Sequence, residues 1–164
     1  MHTEPKIETR TAVPYFGIRL KAPISEFSIV IPQTHDEVYD WLKEEGIEPA
    51  GAPFIRFHVI DMGAEMDIEL GVPAVSSMEG NGRVKAGVLP AGEYATLTYT
   101  GVANGVPASA ALVKWAGENG VVWDRWDDPN GDAFASRVEF FLTDPADEPD
   151  MAKWQTEVGI KLAD

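Results

Sequence analysis

The chain has 164 residues, 45% of them hydrophobic, a size and composition typical of one domain with a substantial core. Thirteen lysines and arginines stand against 27 aspartates and glutamates, and the net charge of −14 argues against direct nucleic-acid or membrane binding. The absence of cysteine excludes disulfides and cysteine-ligated zinc, and no apolar run approaches the roughly 20 residues of a membrane span.

The first half of the chain begins with extended segments and continues into a helix. Residues 1–6 lack the apolar core of a signal peptide, so we expect a cytoplasmic protein. Residues 7–20 alternate as strands do, and the proline-containing residues that follow predict a connection. A helix is predicted to begin at Thr34, which forms a capping box with Glu37, and to end at Gly46. Further strands are predicted over residues 54–60 and 66–72.

The second half repeats this order of elements. Residues 74–82 are polar and contain glycine, which predicts a linker. A second helix is predicted with Pro107 in its first turn and Gly120 at its cap. Aromatic residues at 121–126 precede a predicted loop of sequence Asp-Asp-Pro-Asn-Gly-Asp. Strands are predicted over residues 83–88, 93–99, 137–143 and 154–162.

Two short sequence matches recur in the same order and indicate an internal repeat. Residues 41–47 match residues 115–121 at the two helix ends, and residues 69–72 match residues 157–160 in the last strand of each half. We therefore predict an α+β fold in one domain, residues 1–164, with pseudo-repeats at residues 1–73 and 83–164. Two β-α-β-β units related by a pseudo-twofold axis would form antiparallel sheets around a cleft, with both helices on the opposite side.

An acid stands in the middle of the apolar strand predicted over residues 137–143. Val138, Phe140 and Leu142 alternate with Arg137, Glu139 and Phe141, so the first set predicts the core face. On the other face Glu139 needs a partner, which a ligand could supply. The simpler alternative is a glutamate on the solvated face of a half-buried sheet.

Duplication places further polar residues around the predicted cleft. Glu69 and Glu157 would occupy equivalent positions beside it. We expect Arg56 and His58, on the earlier strand, to be the counterparts of Glu139 and to face the same space. The aromatic residues that could line the cleft, each of which could equally be ordinary core, are Tyr94, Trp123, Trp126 and Phe141.

Five motifs, in this order, together resemble the GyrI-like small-molecule-binding domain, the effector module of multidrug-sensing regulators of the BmrR and Rob type. They are IEPAGAPF at 47–54, DIELGVP at 67–73, LPAGEYA at 89–95, EFFLTDP at 139–145 and WQTEV at 154–158. The family fold is a duplicated β-α-β-β arrangement, which agrees with the repeat.

The resemblance implies that Glu139 is the pocket acid and that the ligand is a hydrophobic, cationic or aromatic small molecule. Binding would serve the sensing or sequestration of a drug or toxin. Phe141 stands where family members usually have tyrosine, and Tyr99 where many have histidine. The candidate ligand-binding residues are Glu139, Phe141, Tyr94, Trp123, Trp126, Glu69 and His58.

Three other functions remain open at this stage. A hydrolase of cyclopropane-bearing DNA-alkylating natural products would use Glu139 and Glu157 as catalytic residues. A protein-interaction role such as gyrase inhibition, and haem binding as in the SOUL proteins, are further alternatives. No nucleophile elbow is present, so a nucleophilic triad is unsupported. No metal-ligand spacing is present either, and we predict neither a metal site nor a cofactor.

Overall fold

The computed structural model describes residues 1–61 and 63–164. Their two long helices are α1 (Phe27–Glu45) and α2 (Gly105–Glu118), and short 3₁₀ turns precede both of them. The eleven strands are β1 (Lys6–Arg10), β2 (Val13–Pro23), β3 (Phe54–Ile60), β4 (Glu65–Pro73), β5 (Gly80–Asn81), β6 (Val84–Leu89), β7 (Gly92–Thr100), β8 (Arg125–Asp128), β9 (Gly131–Phe134), β10 (Arg137–Phe141) and β11 (Gln155–Lys161).

The start of α1 differs from the prediction. The helix begins at Phe27, well before Thr34, and Thr34 is a buried residue inside it rather than a cap. Phe27 and Ile31 pack against the apolar cluster of β3 and β4, and this burial outweighs the unfavourable Pro32 in the helix interior. The predicted end is confirmed, because Gly46 caps the helix with a φ of 69°.

Most predicted strands are present, and two segments predicted to be irregular form strands as well. The predicted loop after Trp126 is the turn of the β8–β9 hairpin, in which Asp128 pairs with Gly131. The predicted linker contains the short strand β5, which pairs with β6. Strand β10 ends at Phe141, so Leu142 lies beyond it with 48% of its surface exposed and is not part of the core.

All these strands belong to one antiparallel sheet. The order is β1-β7-β11-β10-β3-β4-β2-β6-β5, and the β8–β9 hairpin joins the sheet through β3. The two units meet at the central pair formed by β10 and β3. Outward from this pair, the strands β10, β11, β7 and β1 on one side correspond one by one to β3, β4, β2 and β6 on the other. This order confirms the predicted α+β fold with duplicated β-α-β-β units. The bounds 1–73 and 83–164 of the pseudo-repeats stay a prediction.

The pseudo-twofold axis passes beside the pair formed by Ile55 and Glu139. Glu69 lies opposite Arg56, and Glu157 lies opposite Phe140, so Arg56 corresponds to Phe140 in the other unit. By the same register Ile55 corresponds to Glu139, and these two residues pair directly across β3 and β10. The counterpart of Glu139 is therefore Ile55, rather than Arg56 or His58 as the sequence suggested.

Both helices cover the same face of the sheet, which we call the helix face. Helix α1 packs on β2 and β4, and α2 packs on β7. Trp41 is buried in the first of these contacts, and Trp115 is partly buried in the second. The opposite face has an apolar centre formed by Tyr15, Phe54, Leu89 and Val138. No helix among the described residues is long and apolar enough to cross a membrane.

Candidate functional site

Glu139 lies on the helix face, near the centre of the sheet. Its neighbours across the strands are Ile55 and Val158, which belong to two different apolar clusters on the helix face. Because α1 packs over β2 and β4 and α2 over β7, the central strand β10 lies between them. Glu139 is half-buried in this position between the two helices.

The environment of Glu139 favours its protonated form. Burial raises the pKa of the carboxyl group, although the Tyr99 hydroxyl and the charge of Arg137 act in the opposite direction. The Tyr99 hydroxyl donates a hydrogen bond of 2.9 Å to Oε1. Within the described residues, no lysine, arginine or histidine nitrogen lies within 4.0 Å of the carboxylate. The acid thus has a neutral donor but no ion-pair partner.

Aromatic side chains flank Glu139 on the helix face. Phe141 lies two residues further along β10, and His35 of α1 meets its ring edge-on at 5.8 Å between centroids. His35 donates from Nε2 to the Phe54 carbonyl oxygen at 2.9 Å, and burial lowers the pKa of His35. The imidazole is therefore neutral near pH 7 and adds aromatic surface without adding charge.

Arg137 is the cation on the same face of β10 as Glu139. Its guanidinium carbon lies 4.9 Å from the centroid of the Phe134 ring, and burial lowers its pKa. Stacking on Phe134 directs the guanidinium away from an ion pair with Glu139. Arg137 weakens the net negative potential of the site without neutralising the carboxylate by direct contact.

Glu69 and His58 lie on the opposite face, in a separate polar network. Glu69 is buried, and its Oε1 accepts hydrogen bonds from the Tyr15 hydroxyl at 2.7 Å and from His58 Nε2 at 2.8 Å. Tyr15 in turn accepts from Arg56 Nη1 at 2.9 Å. Burial by itself would raise the pKa of Glu69, but the hydrogen bonds from His58 and Tyr15 outweigh burial and lower it.

Two glycines make room for this network. A Cβ atom at Gly17 would lie 3.2 Å from the Glu69 side chain, and one at Gly87 would lie 2.5 Å from the Tyr15 ring. Beside the network is a cavity of about 500 Å³, lined by Tyr15, Arg56, His58 and Glu69 together with residues of β2 and β6. The cavity and Glu139 are on different faces of the sheet.

Glu157 and Tyr94 also lie on the opposite face. Glu157 forms an ion pair with Arg10, whose guanidinium carbon is 5.5 Å from the centroid of the Tyr94 ring. The Tyr94 hydroxyl is 2.7 Å from the Pro90 carbonyl oxygen and 2.9 Å from the Ser136 hydroxyl. Tyr94 is the counterpart of Tyr15, because each pairs with the same position of the last strand in its unit, Lys161 and Pro73.

The predicted site residues therefore do not form one cluster. Glu139 and Phe141 share the helix face, whereas Glu69, His58, Glu157 and Tyr94 occupy the opposite face. Trp123 packs against the cluster beneath α2, and Trp126 lies on β8 with 52% of its surface exposed. Among the described residues, no group of three or more histidine, aspartate or glutamate side chains could hold a metal ion.

Sequence reasoning missed several residues of these two sites. Tyr99 supplies to Glu139 the hydroxyl that Phe141 lacks, although it is 40 residues away in the chain. The sequence analysis named Tyr99 only as a departure from the family pattern and did not place it at the site. His35 and Tyr15 carried no such signal, because one lies on a helix and the other on a strand with ordinary core patterning.

Comparison with known proteins gives a family match over nearly the whole chain. The model of the GyrI-like small molecule binding domain matches residues 3–163. No curated protein matches the chain.

Among solved structures, the C-terminal domain of EcmrR has 20% identity and a TM-score of 0.77, with 98% of this chain and 97% of that domain covered. In the EcmrR–DNA complex this chain spans 57% of the EcmrR chain, at 19% identity with a TM-score of 0.76 and 97% of this chain covered. A hydrolase from Listeria innocua has 13% identity and a TM-score of 0.67 over 98% of this chain and 92% of its own. SAV2435 bound to tetraphenylphosphonium has 12% identity and a TM-score of 0.56, covering 98% and 94%. At these identities the likeness concerns the fold.

Proposed function

The chain belongs to the family of GyrI-like small-molecule-binding domains, and from this premise we propose that it binds a hydrophobic, cationic aromatic molecule over Glu139. The observation that carries the proposal is a half-buried carboxylate that has no ion-pair partner among the described residues and lies between two helices beside Phe141. The structural neighbour SAV2435 is seen with tetraphenylphosphonium, a ligand of this chemical class.

The electrostatics of Glu139 support a cationic ligand. A carboxylate that has lost part of its hydration gains more from a cation than an exposed carboxylate does. The ligand would bring the missing charge, while Phe141 and the neutral His35 provide flat surface for its aromatic groups. The Tyr99 hydroxyl holds Oε1 and leaves the second carboxylate oxygen for the ligand.

Sensing and sequestration both require that the protein binds the small molecule, and this binding is what we propose. A net charge of −14 favours cationic small molecules over nucleic acid, so we expect no direct contact with DNA or RNA. A cytoplasmic location is part of the proposal. Subcellular fractionation would test it, and recovery of the protein outside the cytoplasmic fraction would contradict it.

The test is calorimetric titration with tetraphenylphosphonium, with triphenylphosphine oxide as a neutral ligand of related shape. Glu139→Gln keeps the acceptor for Tyr99 and removes the charge, so the cation should bind about 5- to 150-fold more weakly, which corresponds to the roughly 1–3 kcal/mol of a buried charge partner. The affinity for the neutral ligand should change less than threefold.

Glu157→Gln is the matched control for this experiment. It makes the same chemical change on the opposite face, where Glu157 is paired with Arg10, and should leave both affinities unchanged. The proposal would be contradicted if Glu139→Gln lowered the affinities for the cation and the neutral ligand equally. It would also be contradicted if Glu139→Gln and Glu157→Gln lowered the affinity for the cation equally.

A hydrolase acting at the same glutamate is the second candidate. One observation favours it: burial raises the pKa of Glu139 toward the range in which a carboxylate serves as a general base. Glu157 lies on the other face, so this second candidate assigns catalysis to Glu139 alone. Repeated turnover of a cyclopropane-bearing alkylator, lost in Glu139→Gln and kept in Glu157→Gln, would support catalysis. A product yield that never exceeds one per chain would exclude it.

A further inference from the structure

The cavity on the opposite face has an unusual concentration of basic residues. Arg19, Arg56, Arg83 and Lys85 all line it, which is four of the 13 lysines and arginines in a chain of net charge −14. Glu69 is the acidic residue in the lining, and the Tyr15 and His58 donors already satisfy its Oε1. Basic residues therefore outnumber acidic residues in the lining of this cavity, on a protein that is strongly acidic as a whole.

Two of these cations have no carboxylate within 4.0 Å among the described residues, although the charge of Arg56 helps to lower the pKa of the nearby Glu69. Arg56 donates to three neutral acceptors, the Tyr15 hydroxyl and the carbonyl oxygens of Val88 and Ala135. Its Nε is buried and makes no hydrogen bond to any described residue. Lys85 is exposed at the mouth of the cavity, and no carboxylate of the described residues lies within 4.0 Å of its amine.

The other two cations stand at the rim in pairs that a ligand can join. Arg19 binds Asp67 with 2.9 and 2.8 Å contacts, and Arg83 is 3.1 Å from Glu37. More than half of each arginine side chain is exposed, and Glu37 is exposed as well, so the Arg83–Glu37 pair is hydrated and contributes little to stability. Asp67 is only 17% exposed and holds Arg19 through two contacts, so an incoming anion would bind to the exposed part of the Arg19 guanidinium without displacing Asp67.

We propose that this cavity is a second binding site, for a small organic anion that carries at least two negative charges on carboxylate or phosphate groups. A volume of about 500 Å³ suits a small molecule, since ligand cavities typically measure roughly 300–1,000 Å³. Arg56 and Lys85 are the charges that the ligand would neutralise, and Arg19 and Arg83 add donors at the rim. The site is independent of the one proposed over Glu139 and has the opposite charge preference.

The chain has three histidines, and one of them lies at each of the two proposed sites. His58 lines the cavity, His35 is buried on the helix side next to Phe141, and His2 lies near the N-terminus. Imidazole nitrogen spectra recorded during titration with pyrophosphate, and separately with citrate, should show a saturable shift of His58 and no shift of His35. Tetraphenylphosphonium should shift His35 and leave His58 unchanged. The two proposed sites are therefore tested separately, and a negative result for one does not affect the other.

The charge is tested with Lys85→Glu, against Lys114→Glu on α2 as the matched control. Both substitutions make the same change in net charge, and Lys114 is 80% exposed and on the helix side. We expect a wild-type Kd on the order of 0.1 mM for pyrophosphate at low ionic strength. Removing the charge with Lys85→Gln should raise this Kd about fivefold, and reversing the charge with Lys85→Glu should raise it about 25-fold. Lys114→Glu should change binding less than twofold.

Three outcomes would overturn the second site. The first is the absence of a saturable His58 shift with both anions at low ionic strength. The second is equal weakening by Lys85→Glu and Lys114→Glu, which would mean that only net charge matters. The third is a shift of His35 that follows the shift of His58, which would place the anion outside this cavity. Unfolding curves of the variants would verify that each is folded as the wild type is.

Discussion

At the scale of single residues, the pKa values of two glutamates are displaced in opposite directions by their surroundings. Burial raises the pKa of Glu139, while hydrogen bonds from His58 and Tyr15 overcome burial and lower the pKa of Glu69. The same substitution, glutamate to glutamine, should therefore have opposite effects on stability at the two positions.

Glu139→Gln should stabilise the protein at pH 8 by about 1 kcal/mol. A carboxyl group whose folded pKa is raised favours folding while it is protonated, and this contribution is lost as the pH rises from the ordinary value of 4.5 through the folded pKa. Glutamine removes that loss and still accepts from Tyr99. Urea unfolding at pH 8 and at pH 4 measures the effect, which should vanish at pH 4. A variant less stable than the wild type at pH 8 would show that the ionised Glu139 carboxylate does not destabilise the fold.

Glu69→Gln should destabilise the protein at pH 7 by about 1–3 kcal/mol. A carboxylate whose folded pKa is lowered contributes stability above its ordinary value of 4.5, and that stability is lost as the pH falls through the folded pKa. The gap between wild type and variant should therefore narrow in acid, in the same urea experiment. A gap that stays constant from pH 7 to pH 3 would mean that the loss comes from packing.

At the scale of elements, α1 contains a proline that its position does not favour. Pro32 lies inside Phe27–Glu45, where it cannot donate a helix hydrogen bond, and its side chain is exposed. The helix forms there because Phe27 and Ile31 on its first turns are packed against the sheet. Packing and local propensity thus conflict at this point of the chain.

Pro32→Ala should stabilise the protein by about 1–2 kcal/mol, which is the helix penalty of proline less the entropy that proline removes from the unfolded chain. Pro107→Ala is the matched control, because Pro107 is equally exposed but lies in the first turn of α2, where proline is tolerated. Its effect should stay within about 0.5 kcal/mol. Thermal unfolding of both variants provides the comparison, and equal effects would contradict the role of helix position.

At the scale of the whole molecule, the two sequence halves are interlocked. Strand β1 belongs to the first half but pairs with β7, and β6 follows the predicted linker but pairs with β2. The two units also meet through β3 and β10 at the centre of the sheet. Neither half alone contains the strands that complete its part of the sheet.

A cut between the exposed residues Ser76 and Ser77 should therefore leave two fragments that remain associated. Each fragment expressed alone should be unfolded, since it exposes the edge of a central strand and lacks one paired strand. A protease site inserted there, followed by gel filtration before and after denaturation, tests this expectation. Independent folding of either fragment, seen by circular dichroism, would contradict it.

Local sequence patterns were enough to predict many of the secondary-structure elements and the duplication. Period-two alternation predicted the strands that became β3 and β4, Gly46 marked a helix end, and paired matches at both helix ends predicted the duplicated fold. These signals are local, because alternation, capping and turn chemistry depend on neighbours in the chain. The ordered motifs, spread along the chain, also identified the family.

The face that Glu139 occupies, and the residues beside it, depend on how the strands pair in the folded sheet. Alternation shows that Glu139 and Phe141 share a face, but the face that the helices cover is set by the register with Ile55 and Val158 on other strands. Tyr99 meets Glu139, and Tyr15 meets Glu69, only after the sheet has formed. Such pairings join residues 40 and 54 positions apart, so no local pattern can encode them. The same non-local pairing gathers four basic side chains around one cavity of an acidic protein.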